Sequence, residues 1–372
     1  MAHLQTTNQE FRTLVGNLAR RLHSKYNANL PQQPTHIVDQ VEELQTEIKI
    51  IHNKTANLDI EFLVPKIHTV ANPQLKDSEL LEQYLEYRHS LQPWLPRDNP
   101  KLNKKFGMEL QAVLSGFPLV WDGRTLLAIT MCFAVQCEVD DLIEEMDVGL
   151  VRECLTGHQI ELREYGLIEA PKVVVDADST PTIKIHHMLS KLTISISDLM
   201  PRNVFDQFVV SFDDLLDSLI DETRYRDEAP EGVEAYLDIR ARTIGTNTLL
   251  TLVAGATISP ELHSLMRLVG EAIGLQNDLN GLDKDVKVGE ILNYVFVSSG
   301  YSKSYPDRGL LVAGIKAAEN AHASAAMKAV QAWKELKGKD GKVGRVMITL
   351  LSTHVDWSVK AARYASGGDK ES

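Results

Sequence analysis

An all-α fold in a single domain is the expectation from this 372-residue sequence, and three observations carry it. Apolar positions recur at three and four residues through most of the chain, whereas the alternation of a half-buried strand is scarce. Clusters of turn formers, HTVANPQ, SGFPLVWDG, APKVVVDADSTPT, DEAPEG, ISPE, SSGYSKSYPDRG and KGKDGKVG, separate those periodic stretches. No repeat, linker or low-complexity block divides the chain, so residues 1–365 read as one domain and 366–372, SGGDKES, as a frayed tail.

Taken in order, the helices with the clearest period are DSELLEQYLEYRHSL, RTLLAITMCFAVQCEVDDLIEEM, NVFDQFVVSFDDLLDSLIDETR, PELHSLMRLVGEAIGLQNDLNGLDKD, GLLVAGIKAAENAHASAAMKAVQAWKEL and GRVMITLLSTHVDWSVKAARYA. Several contain long interior apolar runs, as expected of helices buried on more than one face. VVVD near Val173 is read as a loop, and the first hundred residues are expected to be helical.

Composition narrows the function. Hydrophobic residues make up 44% and charged residues 24%, an ordinary globular balance. A formal net charge of -12 argues against a broad nucleic-acid footprint, which needs clustered Lys and Arg. Cys132, Cys137 and Cys154 lack metal-ligand spacing, so neither a disulfide scaffold nor a zinc site is expected. The opening MAHLQTTNQEFRTL lacks the basic start and apolar run of a secretory signal. LLAITMCFAVQC and LLTLVAGATI fall short of the ~20 residues that span a bilayer, and a cytoplasmic protein without a membrane span is expected.

Two carboxylate clusters carry the chemistry. In the first, Asp140 and Glu144 share one helical face, and Asp141 and Glu145 form a second pair beside it. Like charges at that spacing repel unless a cation compensates, and hard oxygen donors suit Mg²⁺, which takes one or two carboxylates plus phosphate oxygens. Alone, this cluster reads more readily as a solvated acidic helix end. In the second, Asn277, Gly281 and Asp285 stack down one stripe of a helix, so that Asn277 and Asp285 can hold one ion together while Asp283 points elsewhere.

Together the clusters resemble the paired metal motifs of class I terpene synthases, a DDxxD/E motif on one helix and an NDxxSxxxE triad on another. Asp140, Asp141 and Glu144 fit the first motif. Asn277 and Asp285 fit the ends of the second, with Gly281 where a Ser or Thr hydroxyl normally ligates and Asp285 one methylene shorter than Glu. A water over Gly281 would supply the missing oxygen. Asp213-Asp214-Leu215-Leu216-Asp217 spells DDxxD more literally but lies too close to Asn277 in the chain for the facing cluster, and is read as an acidic helix face.

The resemblance covers roughly Trp121 to Tyr364 and implies further residues. Arg363-Tyr364 matches the family's diphosphate-binding RY pair. The stretch Ala235 to Gly245 resembles the one that carries the diphosphate-sensing Arg and then a helix break with a small effector residue. The family register puts that Arg at Ala241, so Arg240 or Arg242 must serve, and Gly245 is the candidate for the break. A planar guanidinium suits phosphate oxygens bidentately. Phe133 and Trp357 are the expected aromatic lining of the cavity, against the plainer reading that both are core.

The resemblance thus implies a single-domain class I terpenoid synthase helical bundle around a central active-site cavity. Its activity would be Mg²⁺-dependent ionisation of a prenyl diphosphate, with three ions and farnesyl diphosphate as the first expectation, giving a terpene hydrocarbon or alcohol. Homodimerisation is left open. The alternatives are a chain-elongating prenyltransferase, which should show a second literal DDxxD, and a non-catalytic helical scaffold.

Overall fold

The computed structural model describes residues 47–67, 72, 74, 78–226 and 228–358. Their elements are a hairpin, β1 (Glu47–Thr55) and β2 (Leu58–Lys66), followed by α1 (Ser78–Leu91), α2 (Pro100–Gly116), α3 (Gly123–Glu144), α4 (Val148–Tyr165), α5 (Pro181–Leu199) and α6 (Arg202–Glu222). A short 3₁₀ turn, Thr223–Tyr225, leads to α7 (Val233–Thr243), α8 (Thr246–Ala254), α9 (Pro260–Val288), α10 (Tyr294–Ser299), α11 (Arg308–Glu335) and α12 (Gly338–Ser358). All six helices singled out in the sequence are present, the last of them described as far as Ser358. Three more start on cap signals: the side chains of Asn99, Asp147 and Thr180 each accept from a first-turn amide. Pro at the first helical position follows Asn99 and Thr180, where its missing N–H costs nothing. The VVVD segment is loop, as read.

The hairpin corrects the expectation that the first hundred residues are helical. β1 and β2 pair antiparallel from Glu47↔Lys66 to Thr55↔Leu58. The turn residues Ala56 and Asn57 have φ of 49° and 59°, the left-handed pair that a two-residue hairpin turn needs. Ile60, Phe62 and Val64 alternate inward and are fully buried, which holds the register by burial of one face.

The described residues fall into two compact units. One comprises α1–α5, α6 as far as Ile220, and Thr248–Thr257. Its core forms where α3 packs on α5, with α1, α2 and α4 against that pair. α3 is buried nearly all round from Thr125 to Val135, so an apolar helix of this length is stable only inside the unit. The other comprises the hairpin, Asp221–Asn247 and the chain from Ile258 onward. There α9 is central, packing on α7, α10, α11 and α12, and β2 lies on α11 and α12. Ile60, Phe62 and Val64 share one core with Leu275, Leu279 and Leu282 of α9 and with Ile315 and Val355.

Candidate metal and diphosphate site

The first cluster ends α3. Asp122 caps this helix, its carboxylate accepting from the Thr125 amide at 2.9 Å. At the other end Asp140 is half-buried, while Asp141, Glu144 and Glu145 are exposed. The last turn of α3 carries no basic residue, so several carboxylates crowd the negative end of the helix dipole. Like charges so placed repel one another. Just before it, Glu138 is fixed by Arg88 at 2.6 Å, Gln92 at 2.8 Å and Lys105 at 2.9 Å. Arg88 is fully buried and also pairs with Glu109, itself held by the Tyr84 hydroxyl. Burial pushes the Glu138 carboxyl up, but Arg88 and then Lys105 outweigh it and hold the carboxyl below its usual range. Glu138 is therefore committed to anchoring the helix.

The second cluster lies on α9, which Ser259 and Pro260 start and Gly289 ends with a left-handed φ of 79°. Asn277, Gly281 and Asp285 occupy one stripe and are all half-buried. Asn293 donates one amide to the Asp285 carboxylate at 2.8 Å and to the Asp278 carbonyl at 3.0 Å, which orients Asp285. Burial pushes the Asp285 carboxyl up to about 6, with the Asp278 carboxylate adding to the shift and Asn293 opposing it. A Cβ at position 281 would meet only the Asp285 carboxylate, at 3.6 and 3.9 Å, so a serine hydroxyl or a water fits there.

Asp278, next to Asn277, points the other way and is buried. It accepts from the Tyr236 hydroxyl, from Arg240 at 3.0 Å and from the Tyr294 amide at 3.2 Å. Burial pushes its carboxyl up, and Arg240 and Tyr236 pull it back. This pairing is possible because α7 comes very close to α9: a Cβ on Gly270 would sit 3.0 Å from the Ala241 carbonyl, and one on Gly274 3.0 Å from the Arg240 side chain. Arg242 reaches Asp221 at 3.3 Å instead. Gly245 separates α7 from α8 with φ 69°, a conformation that a side chain would strain.

Of the other candidates, Phe133 is half-buried on α3, and Trp357 is half-buried on α12 with its ring 6.2 Å from that of His354. Arg363 and Tyr364 lie outside the described residues. Asp213 pairs with Arg163 at 2.9 Å, and Asp214 and Asp217 are exposed, as an acidic helix face would have them. All three cysteines are free thiols. Among the described residues no helix is long and apolar enough to cross a membrane, and no three His, Cys, Asp or Glu side chains converge as a metal cluster. On α9 the donor set explains the latter: the stripe offers one carboxylate, one carboxamide and one glycine. Such a sparse set still suits Mg²⁺, which takes few protein carboxylates and completes its shell from water and phosphate oxygens.

Sequence reasoning missed the anchors Asp278, Asn293 and Glu138. Asp278 was legible beside Asn277, but nothing in the sequence assigned it to Arg240 and Tyr236, which lie about forty residues away in the chain.

Residues 139–301 match the family model described as terpene synthase family 2, C-terminal metal binding. No curated protein sequence matches significantly. Among solved structures, linalool/nerolidol synthase from Streptomyces clavuligerus superposes with a TM-score of 0.59 at 15% identity, covering 78% of this chain and 98% of that one. Aristolochene synthase from Penicillium roqueforti gives 0.56 at 14% identity, covering 79% and 97%. A variant of cucumene synthase gives 0.58 at 16%, covering 80% and 99%. At such identities these likenesses speak to the fold. Residues 139–301 are therefore similar to the metal-binding domain of terpene synthase family 2, and the chain shares the helical fold of those solved terpene synthases.

Proposed function

We propose that this protein is a terpene cyclase that uses Mg²⁺ to ionise a prenyl diphosphate and releases a terpene hydrocarbon or alcohol with inorganic diphosphate. The observation that carries this reading is the extent of the family match, which begins one residue before Asp140 and runs past Asp285, so that it contains both carboxylate clusters. Farnesyl diphosphate is the first candidate substrate, and three ions the expected complement. One of the similar structures, linalool/nerolidol synthase, was solved with 2-fluorogeranyl diphosphate, which supports a prenyl diphosphate as the ligand class.

In this reading Asp140, Asp141 and Glu144, and separately Asn277 and Asp285, hold the metal, with a water at Gly281. Bound there, magnesium would supply Lewis-acid neutralisation of the charge that grows on the departing diphosphate. Arg363 and Tyr364 donate to the diphosphate oxygens. Of the two arginines on α7, Arg240 is anchored to buried Asp278, so Arg242 is the better candidate to turn towards the diphosphate. Phe133 and Trp357 present aromatic faces that favour a passing cation.

Magnesium-dependent release of inorganic diphosphate from farnesyl diphosphate tests the reading directly. No release from any prenyl diphosphate with Mg²⁺ present would leave the carboxylate clusters without the role assigned to them.

A further inference from the structure

Beside the metal-facing stripe of α9 runs a second polar stripe, at Gln276, Asn280 and Asp283, displaced from the first by about 100° at Gln276 and Asn280. Every member is engaged within its own unit. Gln276 is fully buried; it donates to the Leu351 carbonyl at 2.9 Å and to His322 Nε2 at 2.9 Å, and accepts from His354 Nδ1 at 2.8 Å. Asn280 is buried, accepts from the Asn53 amide of β1 at 2.8 Å and donates to the Ser358 hydroxyl of α12 at 2.8 Å. The Asp283 carboxylate accepts from the Ala56 amide in the hairpin turn. Further along, Lys49 of β1 reaches Asp356 of α12 at 3.0 Å, and the Glu61 amide of β2 donates to Glu319 of α11 at 2.8 Å.

A helix packed only by apolar contacts can rotate a few degrees about its axis at little cost, and such rotation swings every residue of a stripe together. Directional hydrogen bonds from two separate elements remove that freedom. The hairpin supplies two of them, one on each side of Gly281, from a part of the chain well before the family-matched residues.

We infer that the β1–β2 hairpin is a positioning element for the metal-facing stripe of α9, acting through Asn53 and Asn280. Asn280 joins the hairpin to α12 as well as to α9, so one buried carboxamide sets the rotation at which Asn277 and Asp285 are presented. The inference rests on the metal-binding role proposed for that stripe.

Asn53→Ala in the full-length protein tests it, with two readouts: the Mg²⁺ concentration for half-maximal turnover of farnesyl diphosphate, and Mn²⁺ binding with inorganic diphosphate followed by electron paramagnetic resonance. Loss of outer support commonly weakens metal binding ~10-fold or more, so both half-saturation concentrations should rise by about that factor. Asn53→Asp should restore them, because the Asn280 amide can flip, donate to the new carboxylate and accept from Ser358. His52→Ala, on the exposed face of β1, should change neither. Ile60→Val, a core truncation in β2, should lower the melting temperature without moving either metal readout. An Asn53→Ala protein whose metal half-saturation stays within about twofold of wild type would overturn the inference, as would an Ile60→Val protein that shifts equally. Wild-type protein that turns nothing over yet binds Mn²⁺ with diphosphate would count against the proposed activity, and the Mn²⁺ titrations would then decide the positioning role alone.

Discussion

Replacing His322 with glutamine should make the protein less sensitive to acid. His322 is fully buried on α11, with its ring edge-on to Phe62 at 5.4 Å, and its Nε2 accepts from Gln276. The proton is therefore on Nδ1, which is buried without a hydrogen-bond partner. Burial, and secondarily the neighbouring His354 imidazole, push its pKa from 6.5 down to about 4. Because the folded value is depressed, the unfolded chain binds more protons between those values. Stability is then complete above about pH 6.5, falls as pH drops through it, and levels off below about pH 4. At about pH 5.5 the loss from this one group is ~1.4 kcal/mol relative to about pH 7.5, from one unit of differential protonation. Glutamine keeps an acceptor for Gln276 and removes the titration. The variant should be about 1 kcal/mol less stable at about pH 7.5, where it loses the edge-on ring contact with Phe62, and should draw level near about pH 5.5. Urea denaturation at the two pH values measures this as a difference of differences, in which His158 and His187, outside this hydrogen-bond network, cancel, and His354, likewise pushed down to about 4 by burial, titrates in both proteins. Equal acid sensitivity in both proteins would refute the assignment of a buried neutral imidazole.

Three further expectations follow from the site and the hairpin. Asp140→Ala should abolish turnover with little change in helicity by circular dichroism, whereas Asp213→Ala, which removes a surface pair with Arg163 worth at most ~1 kcal/mol, should retain it; the reverse pattern would exchange the two motifs. Gly281→Ser should keep most activity and tighten the Mg²⁺ dependence, since the new Cβ meets only the Asp285 carboxylate, and a large activity loss would show that the space is needed for something else. Ala56→Gly should raise the melting temperature through ~1 kcal/mol of relieved left-handed strain at φ 49°, and a lower melting temperature would contradict the turn geometry.

The residues proposed to hold the metal could be placed from the sequence only to the extent that helical periodicity applies. Asn277, Gly281 and Asp285 share a stripe because they are spaced by four, and Asp283 leaves that stripe for the hairpin turn, as its spacing required. The long helices were legible for the same reason, and α2 and α5 could have been found from Asn99-Pro100 and Thr180-Pro181, the same cap-and-proline start as Ser259-Pro260 of α9. The hairpin was missed although its signal was present: Ile60, Phe62 and Val64 alternate, and Ala-Asn interrupts two nine-residue runs. Its turn lacks the Asn-Gly or Asp-Gly that usually betrays a two-residue loop. What no local pattern could supply was the pairing of distant polar groups. Arg240 with Asp278 and Asn53 with Asn280 are set by packing, which closes only when Gly270 and Gly274 admit α7 or when β2 buries its inner face, and Arg88 meets Glu138 only once α1 packs on α3.

The central claim is tested most directly by incubating the purified protein with geranyl, farnesyl and geranylgeranyl diphosphates, with Mg²⁺ and with a chelator, and analysing organic extracts by gas chromatography and mass spectrometry. Hydrocarbons or alcohols from one of these substrates, farnesyl diphosphate first, that disappear when the metal is chelated are the expected result. Longer diphosphates formed only when isopentenyl diphosphate is added, or no product under any condition, would contradict it.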